Sequence, residues 1–304
     1  MQGLNVYYDP AYTGSAFAFE TTRKATWVAD SLAAQPIAGI RLVAPQALRW
    51  EQVAQVHSPA YVTAIRTGEP RALAQSQDLQ WDAGLGPMVL ATNGGAVAAA
   101  LDAMRSGLSG SLSSGLHHAR KASGQGYCTF NGLVIAARAA LVAGARAVLI
   151  LDLDAHCGGG TAELIADEPH IWQQDVSVDD FDHYRSSERI CLHMVQDSRS
   201  YLARVQACLQ AVDAGGVPFD LCLYNAGMDP HEASADGGLA GIGTQMLEQR
   251  ENMVFDWCRQ RRLPVAFVLA GGYIGPQLDA AGLVALHRLT LAAAALHAAG
   301  GETA

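Results

Sequence analysis

The chain has 304 residues, half of them hydrophobic, 16% charged and 7% aromatic. A chain of this length buries about three quarters of its unfolded surface, so it needs no disulfide framework, and its apolar content excludes a mainly disordered protein. Twenty basic against 29 acidic residues give a formal charge of −9, which argues against a nucleic-acid groove or an anionic membrane as partner.

In chain order, short apolar runs at residues 4–8 and 40–43 predict strands. Residues 19–34 between them have helical spacing, with Trp27, Val28 and Leu32 toward one side. Ser58 and Pro59 open a helix running to 65, and 88–105 is an alanine-rich helix. A strand near 110–114, a helix over 132–143, a strand over 147–152 and a helix over 161–166 follow. The stretch 175–189 reads as a charged region between elements. The pattern resumes with a helix over 201–212, a strand over 219–224, a helix over 247–260, a strand over 265–270 and a last helix over 280–299. Near-continuous apolar strands alternating with helices predict one α/β domain over 1–304, a mostly parallel sheet covered on both faces. No repeat or linker divides it.

Six cysteines, at 128, 157, 191, 208, 222 and 258, form no CxxC pair and read as reduced thiols. The opening residues show no basic stretch before an apolar run, so the expected location is cytoplasmic. The alanine-rich 283–299 carries His287, Arg288 and His297, which predicts a packed helix rather than a membrane span.

The informative feature is where polar residues fall. Four predicted strands run into residues that a pure core does not use: Gly115-Leu116-His117-His118, Asp152-Leu153-Asp154-Ala155-His156, Asn225-Ala226-Gly227-Met228-Asp229 and Gly271-Gly272-Tyr273. Ligands of parallel sheets bind beyond the carboxyl ends of the strands, so these four ends could meet in one crevice. Alternation puts Asp152, Asp154 and His156 on one side, where two acids and an imidazole would repel and desolvate one another without a cation. Such ligands suit Zn²⁺ or Fe²⁺, and Asp229 can supply a third. The competing reading is that these residues cap the next helix and close a turn. The pair His117-His118 suits acid–base work near neutral pH, and Tyr273 after two glycines could donate to a developing oxyanion or be an ordinary turn tyrosine.

These segments, with Gly126-Tyr127-Cys128-Thr129-Phe130-Asn131 and the echo His57-Ser58-Pro59-Ala60-Tyr61-Val62, occur in order and resemble the histone deacetylase superfamily, with its arginase–deacetylase fold. The spellings LDLDAH, YNAGMD and GGLAGIG, followed by RENMVF, look most like the compact class IV branch and its bacterial relatives. The resemblance implies that Asp154, His156 and Asp229 are zinc ligands, that His117 and His118 are the tandem proton carriers, that Asp152 orients the first of them, and that Tyr273 polarises the carbonyl. Gly126 and Tyr127 match a channel wall for an acylated chain. Asp152, Asp154 and His156 also border the family's inner K⁺ site, with Asp175 a further candidate. The implied activity is zinc-dependent hydrolysis of an acylated amine, either acyl-lysine or a small acylated amine.

The chain departs from the pattern in places. After the ligand histidine the family carries His, or Gln in class IV, where this chain has Cys157. Two residues further on it carries Asp or Asn, supporting the second histidine, where this chain has Gly159. That departure leaves a metal-binding regulatory protein on a deacetylase scaffold as the alternative. An arginase-like ureohydrolase is disfavoured, because Cys157-Gly158-Gly159-Gly160 adds no carboxylate for a second metal. Asp236 stands where the polyamine-selective relatives read a cationic substrate, or is a solvated turn residue before Gly237-Gly238. The short chain leaves little room for interface insertions, which favours a monomer.

Overall fold

The structure is a computed structural model and describes residues 3–299. The first half carries β1 (Leu4–Tyr7), α1 (Glu20–Ala34), β2 (Ile40–Val43), the short α2 (Trp50–Val53), α3 (Pro59–Thr67), the short α4 (Arg71–Ala74), α5 (Leu85–Ser106) and β3 (Leu108–Ser111). The second half carries α6 (Gly132–Val142), β4 (Val148–Asp152), α7 (Gly159–Leu164), β5 (Ile171–Ser177), β6 (Ile190–Met194), α8 (Tyr201–Gly215), β7 (Leu221–Gly227), α9 (Thr244–Arg261), β8 (Val265–Ala270) and α10 (Ala280–Ala299). The eight strands form one sheet in the order β2-β1-β3-β8-β7-β4-β5-β6, and every described pair is parallel.

Alternation along the strands builds the two layers. Leu149 and Leu151 of β4, Cys222 and Tyr224 of β7 and Phe267 of β8 join one core with residues of α1, α8, α9 and α10. Val148, Ile150, Leu221, Leu223, Ala266 and Val268, one register step away, join the other with α3, α5 and α6. Because both faces are buried, the central strands read as unbroken apolar runs. By length and composition Ala280–Ala298 could cross a membrane, yet its Leu283, His287, Leu291 and Ala294 are buried, and α10 packs on α1 and α9.

The sheet aligns the strand ends that matter. Asp152, the last residue of β4, pairs in register with Asn225 of β7 and Asp175 of β5. Gly227, the last residue of β7, pairs with Ala270, the last of β8. Every segment leaving these ends therefore enters the same crevice. Two strands differ from expectation. Residues 171–177 form β5 and 190–194 form β6, neither of which was expected; of the charged region 175–189, residues 175–177 end β5 and the rest is the loop between the two strands. Gln173, Gln174, Asp175 and Ser177 are buried in β5 and hide its apolar pattern; Gln173, Asp175 and Ser177 bond to the segment 156–158 at the site, and Gln174 to His193 and Cys208.

Candidate active site

Beyond the carboxyl ends of the central strands lies a pocket of about 440 Å³. His118, His156 and Tyr273 line it together with Gly126, Tyr127 and Phe181, and Asp78, Asp179, Asp180 and Asp236 complete the lining. Four of the five described non-glycine residues with positive φ border this region: Asp78, Leu116, Tyr127 and Asp182. Such backbone costs free energy and collects where geometry is constrained by function.

Asp154, His156 and Asp229 are buried, and one donor atom from each lies within 4.8 Å of the others. His156 Nδ1 is 3.2 Å from Asp154 Oδ1 and 3.2 Å from Asp229 Oδ2. The backbone holds the carboxylates in place, as His156 N–H donates to Asp154 Oδ1 at 3.1 Å and Ala155 N–H to Asp229 Oδ1 at 2.9 Å. Gly271, at φ +51, must be glycine, because a Cβ there would stand 2.2 Å from the Asp229 carboxylate. Burial and the charge of Asp154 push Asp229 up to about 6. Burial alone would lower His156, but the neighbouring carboxylates of Asp154, Asp229 and Asp236 outweigh it and raise its pKa. The electrostatics of this corner therefore favour positive charge.

The two histidines are oriented from behind. His117 Nδ1–H donates to Asp152 Oδ2 at 2.8 Å, and Asn225 Nδ2 at 2.7 Å holds the other oxygen of Asp152. Asn131, which caps α6 through its side-chain oxygen, donates from Nδ2 to the His117 carbonyl at 3.2 Å. Burial would lower His117, but the charges of Asp152 and then Asp154 raise it to about 10. His118, its ring centroid 4.0 Å from that of His117, goes the other way. Burial and the His117 charge push it down to about 4. Its Nδ1–H donates to Asp182 Oδ2 at 3.0 Å.

Tyr273 places its ring centroid 6.0 Å from that of His156. Glu20 Oε2 accepts the Ile274 N–H at 2.7 Å and so anchors the loop that carries Tyr273. Phe19 stacks on Tyr127 with centroids 4.0 Å apart and so backs this wall of the pocket. Lys24 is wholly buried and donates from Nζ to the Gly271 carbonyl at 2.8 Å. Burial lowers it to about 8 against the pull of Asp229 and Asp154.

The histone deacetylase domain family matches residues 18–288, nearly the whole chain. The chain belongs to the histone deacetylase family. It is 34% identical over 223 residues, 72% of this chain and 74% of the other, to an uncharacterized protein of Picosynechococcus sp.. It is 27% identical to histone deacetylase 2 of Arabidopsis thaliana, over 60% of this chain and 48% of that protein. With polyamine deacetylase HDAC10 of Homo sapiens it shares 32% identity over 43% of this chain, but only 21% of that protein. Among solved structures, the HDA15 HD domain superposes with a TM-score of 0.77 at 18% identity, covering 97% of this chain and 90% of that one. An acetylpolyamine aminohydrolase from Burkholderia pseudomallei gives 0.76 at 18%, covering 96% and 98%. At that identity the two structures establish the α/β deacetylase fold.

Of the ten residues singled out in the sequence of this deacetylase-family chain, His118, Gly126, Tyr127, His156, Asp236 and Tyr273 line the pocket, and His117, Asp152, Asp154 and Asp229 lie buried behind them. Asp236 sits at its edge, its side chain 61% exposed and its Oδ1 3.5 Å from His156 Nε2. The Asp-His-Asp group can hold a metal ion, and the fit is supported by Asp229 Oδ2, a buried oxygen that accepts no hydrogen bond. Asp175 lies behind Asp152. It accepts the Gly158 N–H at 2.7 Å and the Ser177 hydroxyl, and burial and the Asp152 charge push it up to about 8. Sequence reasoning missed Asp182, Phe181 and Lys24. The first two sit in the loop after β5, which carries no periodic signal. For Lys24 a faint signal exists, since it and Lys121 are the chain's two lysines.

Proposed function

We propose that the protein is a zinc-dependent amidohydrolase that removes an acetyl or longer acyl group from an acylated amine. Family membership supports an amide-hydrolysing deacetylase, and one observation carries the reading further. Three convergent donors, Asp154, His156 and Asp229, lie beside two carboxylate-held histidines and a tyrosine, and His118, His156 and Tyr273 of this set open onto one pocket. Two acids and an imidazole with room for a further ligand suit catalytic Zn²⁺, with Fe²⁺ as the other candidate. When bound, the ion would supply Lewis-acid polarisation of the acyl carbonyl and a water of lowered pKa.

The chain's own residues supply the rest. His118 presents Nε2 to the pocket and stays neutral at pH 7, so that atom is placed to take a proton from the attacking water and return it to the leaving amine. His117, whose Nδ1–H donates to Asp152, would have positive charge on its ring stabilised there and offer it to the developing oxyanion. The Tyr273 hydroxyl would donate to the same oxygen. Tyr127 and Phe181 exclude water along an acyl–alkyl chain. The carboxylates of Asp78, Asp179, Asp180 and Asp236 around the pocket favour a substrate that carries a further amine. Acyl-lysine in protein and small acylated amines both meet that description.

A K⁺ ion near Asp152, Asp154 and His156 belongs to the same proposal, supported by the mutual repulsion of buried Asp152 and Asp175. So do a monomer, since one chain supplies every site group, and a reducing cytoplasmic location, supported by six free cysteines. The test is turnover of acetyl-lysine peptides, long-acyl-lysine peptides and acetylpolyamines by purified, zinc-loaded protein. Release of free amine that a chelator stops is the expected result. Stoichiometric zinc with no amide hydrolysed would refute the reading.

A further inference from the structure

Gly159 stands where the family's pattern sets the Asp or Asn that supports the second histidine. Its position here is filled from elsewhere in the chain. A Cβ on Gly159 would lie 2.3 Å from the Asp182 carbonyl oxygen and 2.6 Å from Asp182 Oδ1. We propose that Asp182, in the loop after β5, is the positioning residue for His118, and that Gly159 is glycine because Asp182 occupies its side-chain space.

The Asp182 side chain is fully buried. Its Oδ2 accepts the His118 Nδ1–H at 3.0 Å and the Gly160 N–H at 3.1 Å. Its Oδ1 accepts a charge-assisted bond from Arg120 Nη2. Arg120 is itself held by Gln125 at 2.9 Å and Glu163 at 2.8 Å. The loop is tied to the metal-ligand segment, because Cys157 N–H donates to the Phe181 carbonyl at 3.0 Å. Phe181 packs edge-on against His118 with centroids 5.0 Å apart. Asp182 itself has φ +61, a left-handed backbone that Asp tolerates better than most residues.

A carboxylate can only accept, so the proton of His118 is fixed on Nδ1 and Nε2 is left bare toward the pocket. His117 has the same arrangement with Asp152. The two histidines thus have equivalent supports, one from the neighbouring strand end and one from a distant loop.

The catalytic part of this inference rests on the hydrolase reading; the tautomer part does not. The test compares Asp182→Ala, Asp182→Asn, Gly159→Asp and the double variant Gly159→Asp/Asp182→Ala. The readouts are kcat, KM, zinc content and the ¹⁵N resonances of the histidine rings. Asp182→Ala is expected to lose about 10–100-fold in kcat, with KM and zinc unchanged and the His118 Nδ1–H tautomer lost. Gly159→Asp alone should be as poor, and the double variant should recover most of the loss. Asp182→Asn keeps an acceptor and should retain the His118 tautomer and most of the activity; if Asp182→Ala fails to fold, Asp182→Leu, which has no acceptor, decides by the same criteria. Wild-type kcat or an unchanged His118 tautomer in the variant without an acceptor, or zinc loss in step with activity, would overturn the proposal. Absence of any turnover by the wild type would sink the hydrolase reading instead, and the ring resonances would still judge Asp182.

Discussion

Arg250 is fully buried under the site, and replacing it tests how the fold holds the Asp152–Asp154 segment. Its Nε and Nη2 donate to Glu251 Oε1 at 2.8 and 2.6 Å. Its Nη1 donates to Tyr201 Oη and to the Leu153 carbonyl, each at 3.1 Å. Tyr224 adds a 2.7 Å bond to the same Glu251 oxygen. Arg250→Met strands the Glu251 carboxylate in the core, and removing one partner of a buried ion pair costs about 3–5 kcal/mol. Unfolding entropy of about 2.1 cal/mol/K per residue over 304 residues is about 0.6 kcal/mol/K, so the midpoint should fall by about 5–8 °C. The double variant Arg250→Met/Glu251→Leu leaves no orphan charge and should recover all but about 1–2 kcal/mol, the cost of the unpaired Leu153 carbonyl and tyrosine hydroxyls. Calorimetry and guanidinium unfolding measure both. A single variant within about 1 kcal/mol of wild type, or a double variant no better than the single, would refute the reasoning.

Tyr273→Phe should lose about 10²–10³ in kcat while binding zinc as the wild type does, since it removes a donor and no ligand. Metal titration followed by calorimetry checks the second half, and zinc loss would assign Tyr273 a structural role. Zinc at about 1,000 times its Kd should add about 4 kcal/mol of stability, removed by chelator and absent in Asp154→Ala. An unchanged melting point in the wild type would contradict the Asp154, His156 and Asp229 site. Burial holds His57 down to about 4; its Nδ1–H donates to the Arg120 carbonyl at 2.8 Å and its Nε2 accepts the Asn131 N–H at 3.0 Å. As pH falls from the ordinary histidine value of 6.5 toward 4, the unfolded chain takes up a proton that folded His57 refuses. Stability should drop by up to about 3 kcal/mol across that window. The drop should be shallower in His57→Gln, and an identical pH slope in the two proteins would contradict this.

The strand-end motifs were legible because a parallel sheet delivers each carboxyl end to one crevice. A short motif such as Asp152–His156 therefore carries its own geometry. Tyr273 and Asp229 were found the same way, as residues that follow apolar runs. The strand β5 was not legible, because Gln173, Gln174 and Asp175 spend a buried strand on polar support and erase its pattern. Asp182 was invisible for a different reason. Its role depends on a contact 64 residues away in sequence with His118, and on empty space above Gly159.

The amino-acid order alone therefore determined the layered α/β class, the three metal-capable donors, the paired histidines and the tyrosine, since local periodicity and strand-end placement encode them. Only the tertiary structure decided which carboxylate supports His118, how Arg250 and Lys24 are buried, and that Phe19 and Phe181 complete the walls. Those depend on which distant segments the sheet brings side by side, and no periodic pattern within a segment records its neighbours across the fold.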